Sequence, residues 1–191
     1  MKIYIKNMVC NRCITAVQDA VAQQGLQLKN IKLGEITLVE DISKTQKDSL
    51  EKSLVDLGFA MLDDKRSQLI EKIKNIIIEL VHVKDNDLKL NLSELLRAEL
   101  QHDYSYLANL FSDVEGTTIE KYLIAQKIER VKELLVYDEL SLSEIAQQLN
   151  YSSVAYLSNQ FKKVTGLTPS HFKQKKEIAR KPLDKVWILQ L

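Results

Sequence analysis

Proline is scarce in this chain, whose 191 residues include only Pro169 and Pro182. Because proline interrupts helices and sheet ladders, nothing of this kind breaks a helix or strand before residue 169. Apolar runs of the roughly 20 residues that a membrane-spanning helix needs are also lacking, and the start of the chain is too polar for a secretory signal. We therefore expect a cytoplasmic protein without a membrane partner.

A strong charge of either sign is missing as well. The 27 basic and 26 acidic side chains leave a net charge of +1, so the overall charge does not indicate a nucleic-acid partner. Basic residues are nevertheless concentrated at 162–181, where a local patch suits contact with phosphate and where the alternative is a solvated tail. The seven are Lys162, Lys163, Lys173, Lys175, Lys176, Arg180 and Lys181.

Recognisable catalytic sets are absent too. The sequence has no Ser-His-Asp arrangement, no glycine-rich phosphate loop and no convincing pair of carboxylates. The three histidines, His82, His102 and His171, fall on unrelated helical segments. We therefore expect a protein that is not an enzyme.

Residues 1–64 show the pattern of a small mixed domain. Ile3 and Ile5 alternate with polar residues, which is typical of a half-buried strand. The first helix would end near Gly25, and a hairpin would turn at Gly34. A second helix and a last short strand complete the order βαββαβ. The predicted fold class is α+β, with a ferredoxin-like domain here and helices in the rest of the chain.

Two cysteines, Cys10 and Cys13, lie between the first strand and the first helix. In a reducing compartment, a Cys-x-x-Cys pair favours metal or redox chemistry over a structural disulfide. Two thiolates suit a soft ion such as Cu(I), whereas zinc would want about four ligands. Cysteine is also a common small packing residue, so a structural role stays open.

The segment Met8-Val9-Cys10-Asn11-Arg12-Cys13, within the βαββαβ order, resembles the heavy-metal-associated domain of copper chaperones. That family's motif is Gly-Met-x-Cys-x-x-Cys; here Asn7 replaces the glycine, and Val9 stands where threonine or histidine is usual. The resemblance implies Cys10 and Cys13 as ligands of Cu(I) or Ag(I), and a core position for Met8. The alternatives are a domain that binds an organic ligand or only dimerises, a redox switch, and a metal carrier or buffer.

A connecting segment is predicted at 65–87, with a helix to residue 83 and a polar linker at 84–87. Apolar residues recur along this helix at spacings of four and three, which is the seam that packs on a partner helix. We predict a homodimer through residues 65–83, against the alternative of a connector that packs on its own chain. The seam consists of Leu69, Ile73, Ile76, Leu80 and Val83.

The pattern at 88–178 is helical throughout. Helix start signals of the capping-box type recur three times, and glycines mark two helix ends. The start signals are Asn91-x-x-Glu94, Thr117-x-x-Glu120 and Ser141-x-x-Glu144, and the glycines are Gly116 and Gly166. An apolar tail follows at 179–191, and we assign no role to it.

Two stretches, 92–111 and 142–161, share one plan of a short helix, a tight turn and a second helix. Each second helix carries Tyr-Leu-x-x-x-Phe, whose Leu and Phe lie on one face and can anchor the helix. The opposite face is then free for the edges of a DNA major groove, although an ordinary helical bundle would also have polar outer faces. The candidate groove-facing residues are Tyr104, Ser105, Ala108, Asn109, Ser153, Val154, Asn159 and Lys163.

The second stretch resembles the signature of AraC/XylS-type regulators. Its motif is Leu142-Ser143-Glu144-Ile145-Ala146-x-x-Leu149-Asn150-Tyr151-Ser152-Ser153, then Tyr156-Leu157-x-x-x-Phe161-Lys162-Lys163-x-x-Gly166-x-x-Pro169. Asn150-Tyr151 replaces the family's Gly-Phe, Leu157 replaces an aromatic residue, and Lys127 stands where arginine is frequent. The substituted asparagine tolerates the left-handed conformation that a glycine would adopt.

The AraC/XylS resemblance implies two helix-turn-helix units held by a long central helix. Each would place its second helix in the major groove of double-stranded DNA, about 34 Å apart on one face of the duplex. It also implies that Lys162, Lys163 and Lys173 contact phosphate, which positions a protein without specifying sequence. We therefore expect a transcription regulator whose N-terminal domain senses Cu(I), Ag(I) or a small-molecule effector.

Overall fold

The computed structural model of the chain describes residues 1–83 and 91–174. It divides into two compact units, Met1–Asn75 and Ile76–Leu191. The predicted linker at 84–87 and the apolar tail at 179–191 lie outside the described residues. Among the helices that are described, none combines the length and apolarity needed to cross a membrane.

The first unit contains a four-stranded antiparallel sheet and two helices, in the predicted order βαββαβ. The strands lie side by side in the order β2-β3-β1-β4, and β1 pairs with both β3 and β4. The division between the units falls within the helix that follows, α3. The elements are β1 (Lys2–Lys6), α1 (Asn11–Gln23), β2 (Leu28–Lys32), β3 (Glu35–Leu38), α2 (Lys44–Asp56), β4 (Ala60–Leu62) and α3 (Lys65–His82).

The core of the first unit forms where alternating strand residues meet helical ones. Ile3 and Ile5 of β1 are buried, as the alternation predicted, and they pack in one cluster with residues of both helices. Met8 belongs to this cluster and is fully buried, so its core position agrees with expectation. The helical members of the cluster are Val17, Ala20 and Val21 of α1 and Leu50 and Leu54 of α2.

Gly34, at the turn between β2 and β3, lies against α3. Its φ is +73°, and a Cβ at this position would come within 2.1 Å of Asn75 Nδ2. The backbone N–H of Ile5 also donates to the Gly34 carbonyl at 2.9 Å. Asn75 is 7% exposed, and its Oδ1 has no hydrogen-bond partner among the described residues. The turn therefore requires glycine both for its conformation and for this close approach.

The apolar seam of α3 is mostly buried within a single chain. Ile73 is 0% and Leu80 is 3% exposed, whereas Val83, just beyond the helix, is 65% exposed. Two residues at the centre of the predicted dimer seam are thus unavailable to a second chain. The homodimer through residues 65–83 therefore stays a prediction without an exposed apolar face to support it.

The second unit is helical where it is described. Capping boxes are present at Asn91 and Ser141, as predicted. The prediction for the central helix was wrong by one residue, because Thr118 and not Thr117 caps it, accepting from the backbone N–H of Lys121. The helices are α4 (Leu92–Leu100), α5 (Tyr104–Glu115), α6 (Ile119–Tyr137), α7 (Leu142–Gln148), α8 (Val154–Thr165) and α9 (Pro169–Gln174).

Helix α6 is the centre of this unit. Ile128 and Val131 of α6 are fully buried in a cluster with Leu157 and Phe161 of α8 and with Phe172 of α9. Tyr122, also on α6, is 1% exposed. Burial of Val, Leu, Ile or Phe stabilises a fold by about 1.5–3 kcal/mol each, so α6 carries much of the stability of this unit.

We expect Gly34→Ala to lower the free energy of unfolding by more than Gly58→Ala does. Both glycines have positive φ, but a Cβ at Gly58 meets nothing within 4 Å. The control substitution therefore reports only the conformational cost, about 1–2 kcal/mol, and the difference reports the clash with Asn75. Urea unfolding of both variants measures it.

Adding Asn75→Ala should recover the extra loss in Gly34→Ala, because the smaller side chain removes the clashing Nδ2. A double-mutant cycle isolates this coupling. Equal destabilisation by the two glycine substitutions, with no coupling to Asn75, would show that the close contact is unimportant.

Candidate nucleic-acid interface

Two helix-turn-helix motifs repeat within the second unit of the chain, with a constant offset of 50 residues. Helices α4 and α5 form the first, and α7 and α8 form the second. The inward-facing Leu107 and Phe111 of α5 correspond to Leu157 and Phe161 of α8, and all four are fully buried. Gly116 and Gly166 end the two second helices in the left-handed conformation, as the sequence predicted.

The repeat continues past each second helix. Phe111 packs against Tyr122 with ring centroids 5.6 Å apart, and Phe161 packs against Phe172 at 5.4 Å. Thr118 and Thr168 hold the start of the following helix in the same way, each accepting from a backbone N–H three residues on. Each second helix is therefore held from behind by an aromatic ring of the next helix.

The side opposite these anchors carries most of the predicted groove-facing residues. On α8 and at its N-cap, Ser153, Asn159, Lys162 and Lys163 are exposed. On α5, Ser105 and Asn109 are exposed and Ala108 is half-buried. The prediction for Val154 was wrong, because Val154 packs against the core that contains Phe161. Val154 and the half-buried Tyr104 each lie seven residues, or about two turns, before an anchor phenylalanine, which places them on the inward side of the helix.

Ser153 has a second task at this face. It is the N-cap of α8, and its hydroxyl oxygen accepts from the backbone N–H of Tyr156 at 3.1 Å. Its hydroxyl proton remains able to donate to an external acceptor. Ser153 therefore both fixes the start of α8 and presents a donor beside it.

Tyr104 differs from the expectation of a free groove-facing side chain. Its hydroxyl donates to the Glu120 carboxylate on the first turn of α6. This hydrogen bond lowers the pKa of Glu120, and burial together with the same bond raises the pKa of Tyr104. The donor of Tyr104 is thus used inside the protein, where it fastens α5 to α6.

Lys127 holds the turn between α7 and α8, a role that was not predicted from the sequence. Its Nζ donates to the carbonyl of Leu149 at 3.0 Å and lies 5.1 Å from the centre of the Tyr151 ring. Burial lowers the pKa of Lys127. The only sequence signal was its position, where the AraC/XylS family frequently has arginine.

The turn itself contains Asn150 at φ 51°, in the left-handed region. This is the conformation that the Asn-for-Gly replacement was expected to tolerate. Tyr151 follows, and its hydroxyl donates to Gln160 of α8 at 2.8 Å. The turn is therefore tied to both α6 and α8, which fixes the angle at which α8 leaves it.

The basic residues divide into two groups. Lys162 and Lys163 lie exposed in the last turn of α8. Lys173, the third predicted phosphate contact, forms an ion pair with Asp138. The remaining members of the predicted basic patch, Lys175, Lys176, Arg180 and Lys181, lie outside the described residues.

The two second helices differ in charge at three matched positions, because α8 has Lys162, Lys163 and Thr165 where α5 has Ser112, Asp113 and Glu115. Lys163 of α8 corresponds to Asp113 of α5, and both side chains are exposed. A carboxylate repels phosphate and an ammonium attracts it. The second helix-turn-helix motif, α7 and α8, is therefore better suited than the first to hold a nucleic-acid backbone.

The cysteine pair lies in the first unit, at the start of α1. Cys10 is the N-cap and Cys13 lies in the first turn, with their Sγ atoms 3.1 Å apart and both residues half-buried. Burial raises the pKa of the Cys13 thiol, and its hydrogen bond with Cys10 acts in the same direction. The described residues contain no group of three or more His, Cys, Asp or Glu that could hold a metal ion.

Comparison with known proteins identifies the helical unit. Residues 96–175 match the model of a family described as "Helix-turn-helix domain". The Xylose operon regulatory protein of Escherichia coli K12 is 35% identical over 69 residues. The C-terminal domain of AraT, a response regulator from Geobacillus stearothermophilus, matches with a TM-score of 0.50 at 25% identity, covering 61% of this chain and 92% of that one.

Residues 96–175 form a helix-turn-helix domain of the AraC/XylS type.

Relatives of this AraC/XylS-type domain are longer proteins. The uncharacterized HTH-type transcriptional regulator YtdP of Bacillus subtilis is 25% identical over 118 residues, which are 61% of this chain and 15% of YtdP. The match to the Xylose operon regulatory protein covers 36% of this chain and 18% of that protein. The chain thus spans less than a fifth of the length of these two relatives.

We expect Tyr104→Phe to destabilise the AraC/XylS-type domain by at most about 1 kcal/mol, the usual net value of one partly exposed hydrogen bond. The loss should disappear at acidic pH. Glu120 has a lowered pKa in the folded state, so its contribution is present above the unfolded value of 4.5 and is lost as pH falls through the folded pKa. Urea unfolding at neutral pH and near pH 3 measures both effects.

Tyr137→Phe is the matched control, because Tyr137 is 61% exposed and has no hydrogen bond within the described residues. An identical stability change in the two variants, or a Tyr104→Phe effect independent of pH, would contradict the pairing of Tyr104 with Glu120.

Proposed function

We propose that this protein is a sequence-specific DNA-binding transcription regulator of the AraC/XylS type. The observation that carries the proposal is the matched pair of helices, α5 and α8. Each buries a Leu and a Phe four residues apart and exposes a polar face opposite them. A rigid helix with short polar side chains outward is what a major groove admits.

The length of α6 supports binding of one duplex by both helix-turn-helix motifs at once. Its 19 residues span about 28 Å at 1.5 Å per residue. Adjacent major-groove segments on one face of B-DNA lie about 34 Å apart. A strut of this length between the two units is therefore compatible with simultaneous docking.

Base recognition is assigned to Asn109 and Asn159, which occupy the same position of α5 and α8. Asparagine can make two hydrogen bonds to adenine at the floor of the major groove. Lys162 and Lys163 would hold phosphate at the end of α8, because both are exposed cations. Phosphate contacts set the register, and base contacts set the preferred sequence.

We expect Asn159→Ala and Lys163→Gln to weaken DNA binding in different ways. Asn159→Ala should lower affinity for a duplex selected from a randomised pool more than for mixed-sequence DNA, because it removes a base contact. Lys163→Gln should lower both affinities and reduce the slope of log affinity against log salt by about 1. Fluorescence anisotropy at several salt concentrations separates the two effects.

Lys173→Gln is the matched control for the charge change, because Lys173 is paired with Asp138. It should lower affinity less than Lys163→Gln does. Failure of the wild-type protein to bind any duplex would refute the regulator proposal, and unchanged affinity in both α8 variants would refute the assignment of α8 to the groove.

For the first unit, we propose a ferredoxin-like domain that senses a ligand. Its support is the βαββαβ order with the antiparallel sheet order β2-β3-β1-β4. The ligand that its chemistry favours is Cu(I) or Ag(I), because Cys10 and Cys13 place two half-buried sulfur donors together at the start of α1. Two soft donors without a third ligand suit a low-coordinate soft ion and not tetrahedral zinc.

The cysteine pair needs one adjustment to take an ion. Metal–sulfur bonds are about 2.3 Å long, so two sulfurs on opposite sides of one ion lie further apart than the observed 3.1 Å. The ion must also displace the thiol protons, which the raised pKa of Cys13 makes harder at low pH. Uptake should therefore increase with pH.

We expect the full-length protein to take up one Cu(I) per chain under reducing conditions, in competition with a chromogenic Cu(I) chelator. The double substitution Cys10→Ser and Cys13→Ser should abolish uptake and leave the unfolding midpoint within a few degrees, because neither side chain is fully buried. Absence of uptake by the wild type would refute metal sensing and favour an organic effector or a purely dimerising domain. Uptake without any change in DNA affinity would instead favour a metal carrier or buffer.

A further inference from the structure

We propose that Tyr106 and Tyr156 are a matched pair of phosphate anchors, one on each second helix, whose hydroxyls donate to the DNA backbone beside the groove. This inference rests on the proposed DNA-binding function. Neither tyrosine belongs to the groove-facing set predicted from sequence, where both served only as part of the repeated Tyr-Leu-x-x-x-Phe pattern.

The two tyrosines are equivalent in position and exposure. They lie 50 residues apart, each in the first turn of its helix and each directly before a fully buried leucine. Tyr106 is 48% exposed and Tyr156 is 54% exposed. Both rings thus stay about half in solvent at matched sites, although the leucine that follows each of them is fully buried.

Each ring is held by a neighbour while its hydroxyl stays unengaged. Tyr106 lies 5.3 Å from the ring of His102, and Tyr156 lies 6.1 Å from the ring of Tyr151. Three tyrosine hydroxyls of this unit, those of Tyr104, Tyr122 and Tyr151, are bonded internally. Within residues 1–83 and 91–174, neither Tyr106 nor Tyr156 has a hydrogen-bond partner for its hydroxyl.

The helical geometry selects phosphate and not a base edge as the acceptor. At 100° per residue, Asn159 lies about 160° from both Leu157 and Phe161, at the centre of the outer face. Tyr156 lies about 60° to one side of Asn159, on a flank of the helix. A residue at the centre faces the groove floor, whereas a residue on the flank faces a wall of the groove, which is the phosphate backbone.

The charge at the end of the same flank supports this assignment for α8. Lys163 follows Tyr156 by seven residues, which is about 20° short of two full turns. A cation and a hydroxyl donor thus line one side of α8, two turns apart. Both are donors that phosphate oxygens accept.

The same flank of α5 has Tyr106 but ends at Asp113. Helix α5 itself contains no Lys or Arg to hold the backbone, and the carboxylate would repel it. The Tyr106 hydroxyl is therefore the main phosphate donor on that side of the first helix-turn-helix motif. We expect its loss to matter at least as much as the loss of the Tyr156 hydroxyl.

The test is removal of each hydroxyl with the ring kept. Tyr106→Phe and Tyr156→Phe should each weaken binding by about 3- to 10-fold, the value of one neutral hydrogen bond. The loss should be equal for a duplex selected from a randomised pool and for mixed-sequence DNA, because phosphate carries no base information. The salt slope should not change, since no charge is removed.

Tyr137→Phe is the matched control, because Tyr137 is 61% exposed but lies at the end of α6 and on neither second helix. Its affinity should equal that of the wild type, and all three variants should keep the wild-type thermal midpoint. Unchanged affinity in both anchor variants while the wild type binds would overturn this inference alone. A loss confined to the selected duplex would overturn it in favour of base contact, and absence of binding by the wild type would overturn it together with the proposed function.

Discussion

Burial of four side chains on α5 and α8 is the constraint on which the rest of the C-terminal unit depends. Leu107 and Phe111, and their equivalents Leu157 and Phe161, fix which face of each helix is turned inward. Once those faces are fixed, the identity of every outward residue follows from helical geometry. Anchoring and recognition are therefore two consequences of one pattern, since moving an anchor by one position would turn the outer face by about 100°.

The two helix-turn-helix motifs have equivalent buried anchors, but different polar contacts attach each motif to α6. In the first, the Tyr104 hydroxyl donates to Glu120 at the start of α6. In the second, Lys127 from α6 donates to a backbone carbonyl at the turn and lies beside the Tyr151 ring. The hydrophobic contacts are thus conserved within the repeat, whereas the polar contacts that set the angle of each helix are particular to each unit.

The elements of the chain could be predicted from sequence because local signals were strong. Capping boxes at Asn91 and Ser141 and glycine ends at Gly116 and Gly166 were visible as short motifs. The error of one residue at Thr117 arose because two adjacent threonines offer the same capping chemistry. Which of the two threonines is the N-cap depends on where the backbone enters the helix, and the sequence does not show that.

The polar contacts of the site could not be predicted in the same way. The bond from Lys127 to the Leu149 carbonyl joins residues 22 positions apart, and the bond from Tyr104 to Glu120 joins residues on different helices. No periodicity marks such pairs. The burial of the α3 seam was also hidden, because heptad spacing describes an apolar face without showing whether the same chain or another one covers it.

The exchange of Lys163 for Asp113 at one position of the repeat makes the two motifs unequal partners of any polyanion. A cation at the end of α8 is attracted to phosphate whatever the base sequence, whereas a carboxylate at the end of α5 is repelled by it. The second motif would then stay on a duplex after the first has left it, and rising salt would loosen the second motif more than the first.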